Sequence, residues 1–192
     1  MKTHEDLDKL RSRLLTIIRT LSYERREVTL ASGRKSDFYI DCRQTTLNAE
    51  GAYLVGEVIY SMISGMEVDG VGGPTMGADP IATAVSLMSY IDKRPLPAFI
   101  IRKEPKSHGI GAWLEGKKNL REGARVVVVE DVVTTGGSSI KAAKRAEEEG
   151  LEVVAIVAVV DRDEGGADAI REAGYDFRAI FTRGEIVREE QL

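Results

Sequence analysis

Leu7, Leu10, Leu14, Ile17, Ile18 and Leu21 recur at helical spacing with Arg and Lys between them. That stripe predicts an amphipathic helix over residues 5–23. Two short strands are expected next, at 27–30 and 38–42, around the turn-rich Ser32-Gly33-Arg34-Lys35-Ser36. Asn48 is a good N-cap for a second helix reaching residue 64. From there short apolar runs alternate with helical patterns. Strands are expected at 69–72, 97–102, 125–130, 151–160 and 177–181, and helices at 79–92, 137–149 and around Ile170. Pro80 suits the first turn of its helix.

Strands that are apolar throughout and alternate with helices imply an α/β fold, with a parallel sheet covered on both faces. The chain shows no internal repeat, low-complexity segment or interdomain linker. Residues 1–192 are therefore expected to form one domain, with about 1–47 as an N-terminal piece packed on an α/β core of about 48–192. In such sheets ligands bind beyond the carboxyl ends of the strands.

Composition narrows the function classes. The 192 residues are 43% hydrophobic and 30% charged, enough for a full core. A net charge of −4 argues against a nucleic-acid partner. One Cys, Cys42, excludes an intrachain disulfide framework and a multi-cysteine zinc site, and two His, His4 and His108, exclude a His-rich metal centre. The N-terminus is polar and charged rather than secretory, and no apolar run approaches the roughly 20 residues that span a bilayer. No membrane association and a soluble, cytoplasmic protein are the expectation.

The segment with most chemical content runs from Val126 through Val127-Val128-Val129 to Glu130-Asp131-Val132-Val133-Thr134-Thr135-Gly136-Gly137-Ser138-Ser139. A buried strand delivers two adjacent carboxylates, then a hydroxyl- and glycine-rich turn that opens a helix. Glycines let the backbone close around an anion, hydroxyls add donors, and the helix N-terminus adds free N–H groups and partial positive charge. This is a phosphate cradle, but not a Walker A loop, because no Gly-Lys-Ser/Thr follows. Two carboxylates beside phosphate make sense if they hold sugar hydroxyls or a magnesium ion.

Residues 102–116 read as a lid. Arg102, Lys103 and Lys106 stand against Glu104, and Gly109, Gly111 and Gly116 permit large backbone changes. Cations on such a segment can close over a polyphosphate and neutralise leaving-group charge. Gly70-Val71-Gly72-Gly73 does not continue into a dinucleotide fingerprint, since Thr75 stands where its third glycine is required. Asp161-Arg162 ends an apolar strand with a guanidinium suited to a bidentate carboxylate. Cys42 has no neighbouring base in the sequence, and Trp113 reads as packing.

The 126–139 segment resembles the phosphoribosyl pyrophosphate (PRPP) motif of type I phosphoribosyltransferases. Three further segments resemble the orotate phosphoribosyltransferases among them, in family order: Ser32–Tyr39 the N-terminal substrate loop, Gly73–Ala82 the pyrophosphate loop, and Arg102–Gly109 the mobile catalytic loop. The resemblance implies a central parallel sheet flanked by helices, with an N-terminal hood. It implies transfer of phosphoribosyl from PRPP to orotate, giving orotidine monophosphate and pyrophosphate in de novo pyrimidine biosynthesis. Lys103, Lys106, His108 and Asp131 would be catalytic. Arg102, Lys103, Lys106 and His108 would meet pyrophosphate, Glu130 and Asp131 the ribose hydroxyls, and Thr134, Thr135, Gly136, Gly137 and Ser138 the ribose phosphate, with Val132 and Val133 also in the PRPP site. Thr134, Arg162, Phe38 and Tyr39 would meet orotate. Mg2+ would be held mainly by PRPP, without a direct protein ligand, and a homodimer with shared active sites is implied.

The chain departs from that pattern at two cations. Ala31 and Gly77 stand where some members carry Lys, and Glu130 replaces the first Asp of the commoner acidic pair. Backbone amides, or Arg34 and Lys35, are the candidates to replace the lost charge. Two alternatives stay open on sequence: a phosphoribosyltransferase for another base, and a non-catalytic PRPP-binding regulator. The spacing Lys103…Lys106…His108 favours an enzyme.

Overall fold

The computed structural model describes residues 4–29, 35–105 and 113–188. The N-terminal stripe stays α-helical only as α1 (His4–Ile17). A π-helical turn, Ile18–Ser22, follows, closed by the Tyr23 N–H on the Ile18 carbonyl. Ser22 is buried there, sharing a 2.7 Å hydrogen bond between its hydroxyl and that of Thr45. β1 (Tyr23–Thr29) therefore begins inside the stretch expected to be helical, and Leu21 is left 44% exposed. β1 pairs antiparallel with β2 (Lys35–Ile40), Tyr23 opposite Ile40 and Arg25 opposite Phe38.

The second expected strand ends early because Asp41 turns the chain, its carboxylate accepting the Arg43 N–H at 3.2 Å. The turn opens α2 (Arg43–Thr46), a single helical turn the pattern does not predict. Asn48 caps α3 (Ala49–Ile63) as expected, accepting from Glu50 and Gly51, both at 3.1 Å. Then come β3 (Gly70–Pro74), α4 (Ala78–Ile91), β4 (Ala98–Ile101) and the short β5 (Leu114–Glu115). β6 (Arg125–Val133), α5 (Gly137–Glu148), β7 (Glu152–Asp161), α6 (Gly166–Glu172), β8 (Asp176–Thr182) and α7 (Arg183–Val187) complete the chain.

The larger sheet has the order β5-β4-β3-β6-β7-β8, parallel except for β5, which runs antiparallel on the β4 edge. The four valines of β6 explain why both faces need cover. Val127 and Val129 point into a core shared with α1, α3, α4 and β2 (Leu14, Phe38, Ile59, Ile81), while Val126 and Val128 point into one under α5 and α6 (Ala143, Ile170). The N-terminal piece is tied to the far end of the chain by guanidinium–carbonyl bonds, Arg11 to Ile180 at 2.9 Å and Arg19 to Glu185 at 2.8 Å. No helix among the described residues is long and apolar enough to cross a membrane.

Candidate active site

Strand order reverses between β3 and β6: β4 lies to one side of the pair, β7 and β8 to the other. A reversal of this kind leaves a crevice at the carboxyl ends of the two strands. It holds a cleft of about 430 Å³. Pro74–Gly77 beyond β3, Lys103 beyond β4, Glu130, Asp131 and Val132 of β6, and Ser138 of α5 line it, with Tyr39, Ile40, Asp41 and Arg43 of the N-terminal piece completing the wall.

The acidic pair lies inside β6, not in the loop after it, because the ladder to β7 continues through Val132 opposite Val160 and Val133 opposite Asp161. Glu130 is only 6% exposed and accepts from the Ser139 hydroxyl at 3.2 Å. Burial, and then the neighbouring Asp131 charge, push its carboxyl up to about 8. Burial also raises Asp131, opposed by the Val132 N–H, which donates to Oδ1 at 2.8 Å, and by the charge of Arg43. Burial and the mutual repulsion of the two carboxyls thus make the pair harder to ionise fully than two exposed acids, with Glu130 the more strongly raised.

The cradle follows. Gly136 has φ +79°, and a Cβ there would lie 2.9 Å from the Gly166 carbonyl, so only glycine allows α5 to start against α6. The first turn of α5 carries no acidic residue. Its leading N–H groups have no intrahelical partner, leaving an opening for an anion. Thr135, Gly137 and Ser138 are exposed there and Thr134 is half-buried. Val133 is buried, and its carbonyl accepts the Arg162 N–H at 2.9 Å.

Arg162 is buried at the seam between the N-terminal piece and the core. Its Nε donates to Glu164 at 3.0 Å and its Nη2 to the Phe38 carbonyl at 3.2 Å. The Phe38 ring, 1% exposed, lies with its centroid 5.2 Å from that guanidinium and does not line the cleft. Tyr39, next in the strand, does, with the Arg26 guanidinium 3.9 Å from its ring centroid. Strand alternation thus divides the expected aromatic pair between core and cleft.

Of the expected lid cations, Lys103 lines the cleft. Arg102 sits at the base of the segment, Nη1 donating to Glu115 at 2.9 Å, and is absent from the cleft wall. Lys106 and His108 lie outside the described residues, as do Ala31 and Arg34. Trp113 packs under Arg145, whose guanidinium is 3.7 Å from its ring centroid. Cys42 is fully buried and burial raises its thiol, which leaves it chemically quiet.

Asp41 and Arg43 are cleft residues that the motifs do not single out. A carboxylate and a guanidinium two positions apart, directly after an apolar strand, are the signal that would have found them. Among the described residues no three His, Cys, Asp or Glu cluster to hold a metal. The hard oxygens of Glu130 and Asp131 suit a magnesium ion that arrives on substrate phosphates better than one caged by protein.

Known proteins are similar to this chain in sequence and in fold. Residues 48–174 match the family model described as phosphoribosyl transferase domain. The chain is 46% identical over 178 residues to an orotate phosphoribosyltransferase of Sorangium cellulosum, covering 92% of this chain and 93% of that one. A crystal structure of Mycobacterium tuberculosis orotate phosphoribosyltransferase with Fe(III) dicitrate matches with TM-score 0.81 at 37% identity, covering 93% of this chain and 99% of that one. The same enzyme in complex with PRPP matches with TM-score 0.76 at 36% identity, covering 92% and 98%. A reversed strand order, a buried acidic pair and a glycine-opened helix thus occur in a chain that belongs to the orotate phosphoribosyltransferase family.

Proposed function

We propose that this protein transfers the phosphoribosyl group of PRPP to orotate, forming orotidine monophosphate and pyrophosphate in de novo pyrimidine biosynthesis. The observation that carries the reading is the single cleft in which Glu130, Asp131 and Ser138 stand with Lys103. A sugar flanked by a phosphate and a diphosphate needs that combination of hydroxyl acceptors, anion cradle and cation. A cytoplasmic location goes with soluble substrates of this kind.

In this reading the N-terminus of α5, with Thr134–Ser138, takes the ribose phosphate. Asp131 and Glu130 accept from or donate to the ribose hydroxyls, and this fixes the anomeric carbon in the cleft. Lys103, joined by Lys106 and His108, neutralises charge building on the pyrophosphate oxygen as its bond to that carbon breaks. Removing one such preorganised contact typically costs ~10²–10³ in rate. Arg162 and Thr134 orient orotate so that a ring nitrogen faces the same carbon, with Tyr39 on the cleft wall. Magnesium, bound to the diphosphate, supplies further charge neutralisation.

The reading extends to a homodimer with shared sites. α3 and α4 pack together and expose Tyr53, Leu87, Tyr90 and Ile91, the last three more than half exposed. Apolar side chains in that number on one helix pair suit a partner surface.

Incubation with PRPP, magnesium chloride and each candidate base tests the function. Loss of orotate absorbance, dependent on PRPP and on magnesium, is the expected result. Turnover of a purine or of uracil in place of orotate would reassign the substrate, and no turnover with any base would leave a PRPP-binding protein.

A further inference from the structure

Arg43 lines the cleft beside Gly77, Lys103 and Asp131, yet no motif assigns it a task. We propose that Arg43, oriented by Asp41, binds an oxygen at the diphosphate end of PRPP. The inference rests on the cleft being the PRPP site, as read above.

Three observations carry it. The first is fixation. Arg43 donates Nε to Asp41 Oδ1 at 2.8 Å and Nη2 to Oδ2 at 3.2 Å, and its own N–H reaches Oδ1 at 3.2 Å. Asp41 takes a further bond from Gln44 at 3.2 Å, while the Asp41 N–H donates to the Ser22 carbonyl at 3.0 Å. The intervening Cys42 is fully buried and anchors the turn. A long, rotamer-rich side chain has thus already lost its freedom before any ligand arrives, which lowers the cost of using it.

The second is availability. The Arg43 side chain is 47% exposed against 16% for Asp41, and its Nη1 bonds no described residue. An ion pair that served only the fold would not need to present a donor edge to a cleft.

The third is charge. Among the described residues lining the cleft, Asp41, Glu130 and Asp131 are acids and only Lys103 and Arg43 are cations. Lys106 and His108, read above as joining Lys103 at the diphosphate, lie outside the described residues, so among the described lining residues positive charge beyond Lys103 comes from Arg43. Position 77 cannot provide it: a Cβ on Gly77 would meet the Asp131 carboxylate at 2.6 Å. The ribose phosphate has the hydroxyls and N–H groups of the α5 end. The fixed cation is left for the other end, and its charge also acts on Asp131.

Calorimetric titration with sodium pyrophosphate, and with PRPP plus magnesium chloride, tests this on the full-length wild-type chain and on Arg43→Gln, Arg43→Lys and Asp41→Asn. Arg43→Gln is shorter, but its amide nitrogen falls near the position of the Arg43 Nε that bonds Asp41, so it removes the charge with little risk to folding. It is expected to weaken both ligands about 10–100-fold, the worth of a charge-assisted hydrogen bond. It should also flatten the salt dependence of binding, with the orotate KM within about twofold of wild type. Arg43→Lys should restore part of the affinity and the salt dependence. Asp41→Asn should fall between, because the guanidinium loses its clamp but not its charge. Wild-type affinity and salt dependence in Arg43→Gln would overturn the inference and make the pair a surface contact. A wild-type chain that binds neither ligand would overturn the reading of the cleft itself, and the role of Arg43 with it.

Discussion

Gly77 and Asp131 are packed so closely that a Cβ on the glycine would lie 2.6 Å from both Cγ and Oδ1 of the aspartate. The carboxylate cannot swing aside freely, because Oδ1 accepts the Val132 N–H at 2.8 Å. The tip of the loop after β3 thereby sets the position of an acid on β6. Gly77→Ala is expected to displace Asp131 and lower kcat/KM for PRPP about 10–100-fold, in line with misplacement of a positioned group. Stability should change by only about 1 kcal/mol, the usual scale of a point substitution. Steady-state kinetics alongside thermal unfolding checks it; wild-type kinetics with an unshifted Tm would mean the carboxylate position is immaterial.

Glu130 couples this site to pH. Its carboxyl rises from the ordinary 4.5 to about 8 in the folded chain, chiefly through burial. Between those values the folded chain keeps a proton that the unfolded chain releases. Glu130 therefore costs stability progressively as pH rises through that window, and the cost levels off above it. Glu130→Gln cannot ionise. Its Tm should match wild type near pH 5 and exceed it by a growing margin toward pH 9. Parallel Tm profiles for the two proteins would show that Glu130 titrates normally.

The parallel sheet was legible because Val126–Val129 can only be buried on both faces, and the cradle because Thr134–Ser139 combines hydroxyls with glycines just where a helix begins. What was not legible depends on partners distant in the chain. The stripe ending at Leu21 looks helical throughout, but the Ser22–Thr45 hydrogen bond and the Asp41–Ser22 bond reward a π-helical turn and a strand. β5 is two residues long and exists because Leu114 and Glu115 pair with Ile101 and Ile100. Phe38 and Tyr39 looked equivalent, and only the orientation of β2 separates them. By contrast α7 had a readable signal: Thr182 and Glu185 form a complete capping box.

The shared-site reading yields a complementation test. Lys103 lines the cleft of its own chain. Lys106, three residues on, is the lid cation expected to serve a partner. Lys106→Ala and Asp131→Asn should each be nearly inactive alone. After mixing under conditions that exchange subunits, half the dimers are hybrids, and each hybrid pools both lesions in one site and leaves the other intact. About a quarter of wild-type activity should return. No recovery, with exchange verified by native mass spectrometry, would place each lid over its own active site.

Arg162 offers the sharpest test of substrate choice, because the structure already occupies it. Glu164 holds Nε at 3.0 Å and the Phe38 carbonyl holds Nη2 at 3.2 Å, with both charged side chains about nine-tenths buried. If Arg162 receives the orotate carboxylate, these contacts set the plane of its fork. Glu164→Gln keeps the shape but weakens that hold, and should raise the orotate KM several-fold while leaving the PRPP KM within about twofold. Arg162→Lys retains a charge but not the bidentate geometry, and should raise the orotate KM further, by about 10–100-fold. Arg162→Ala should in addition lose about 3–5 kcal/mol of stability, because it removes one partner of a buried ion pair. The kinetic and thermodynamic effects are separable in this series. Loss of stability in Arg162→Ala with an unchanged orotate KM in Arg162→Lys would make the residue a strut between the N-terminal piece and the core, and would move the orotate carboxylate elsewhere.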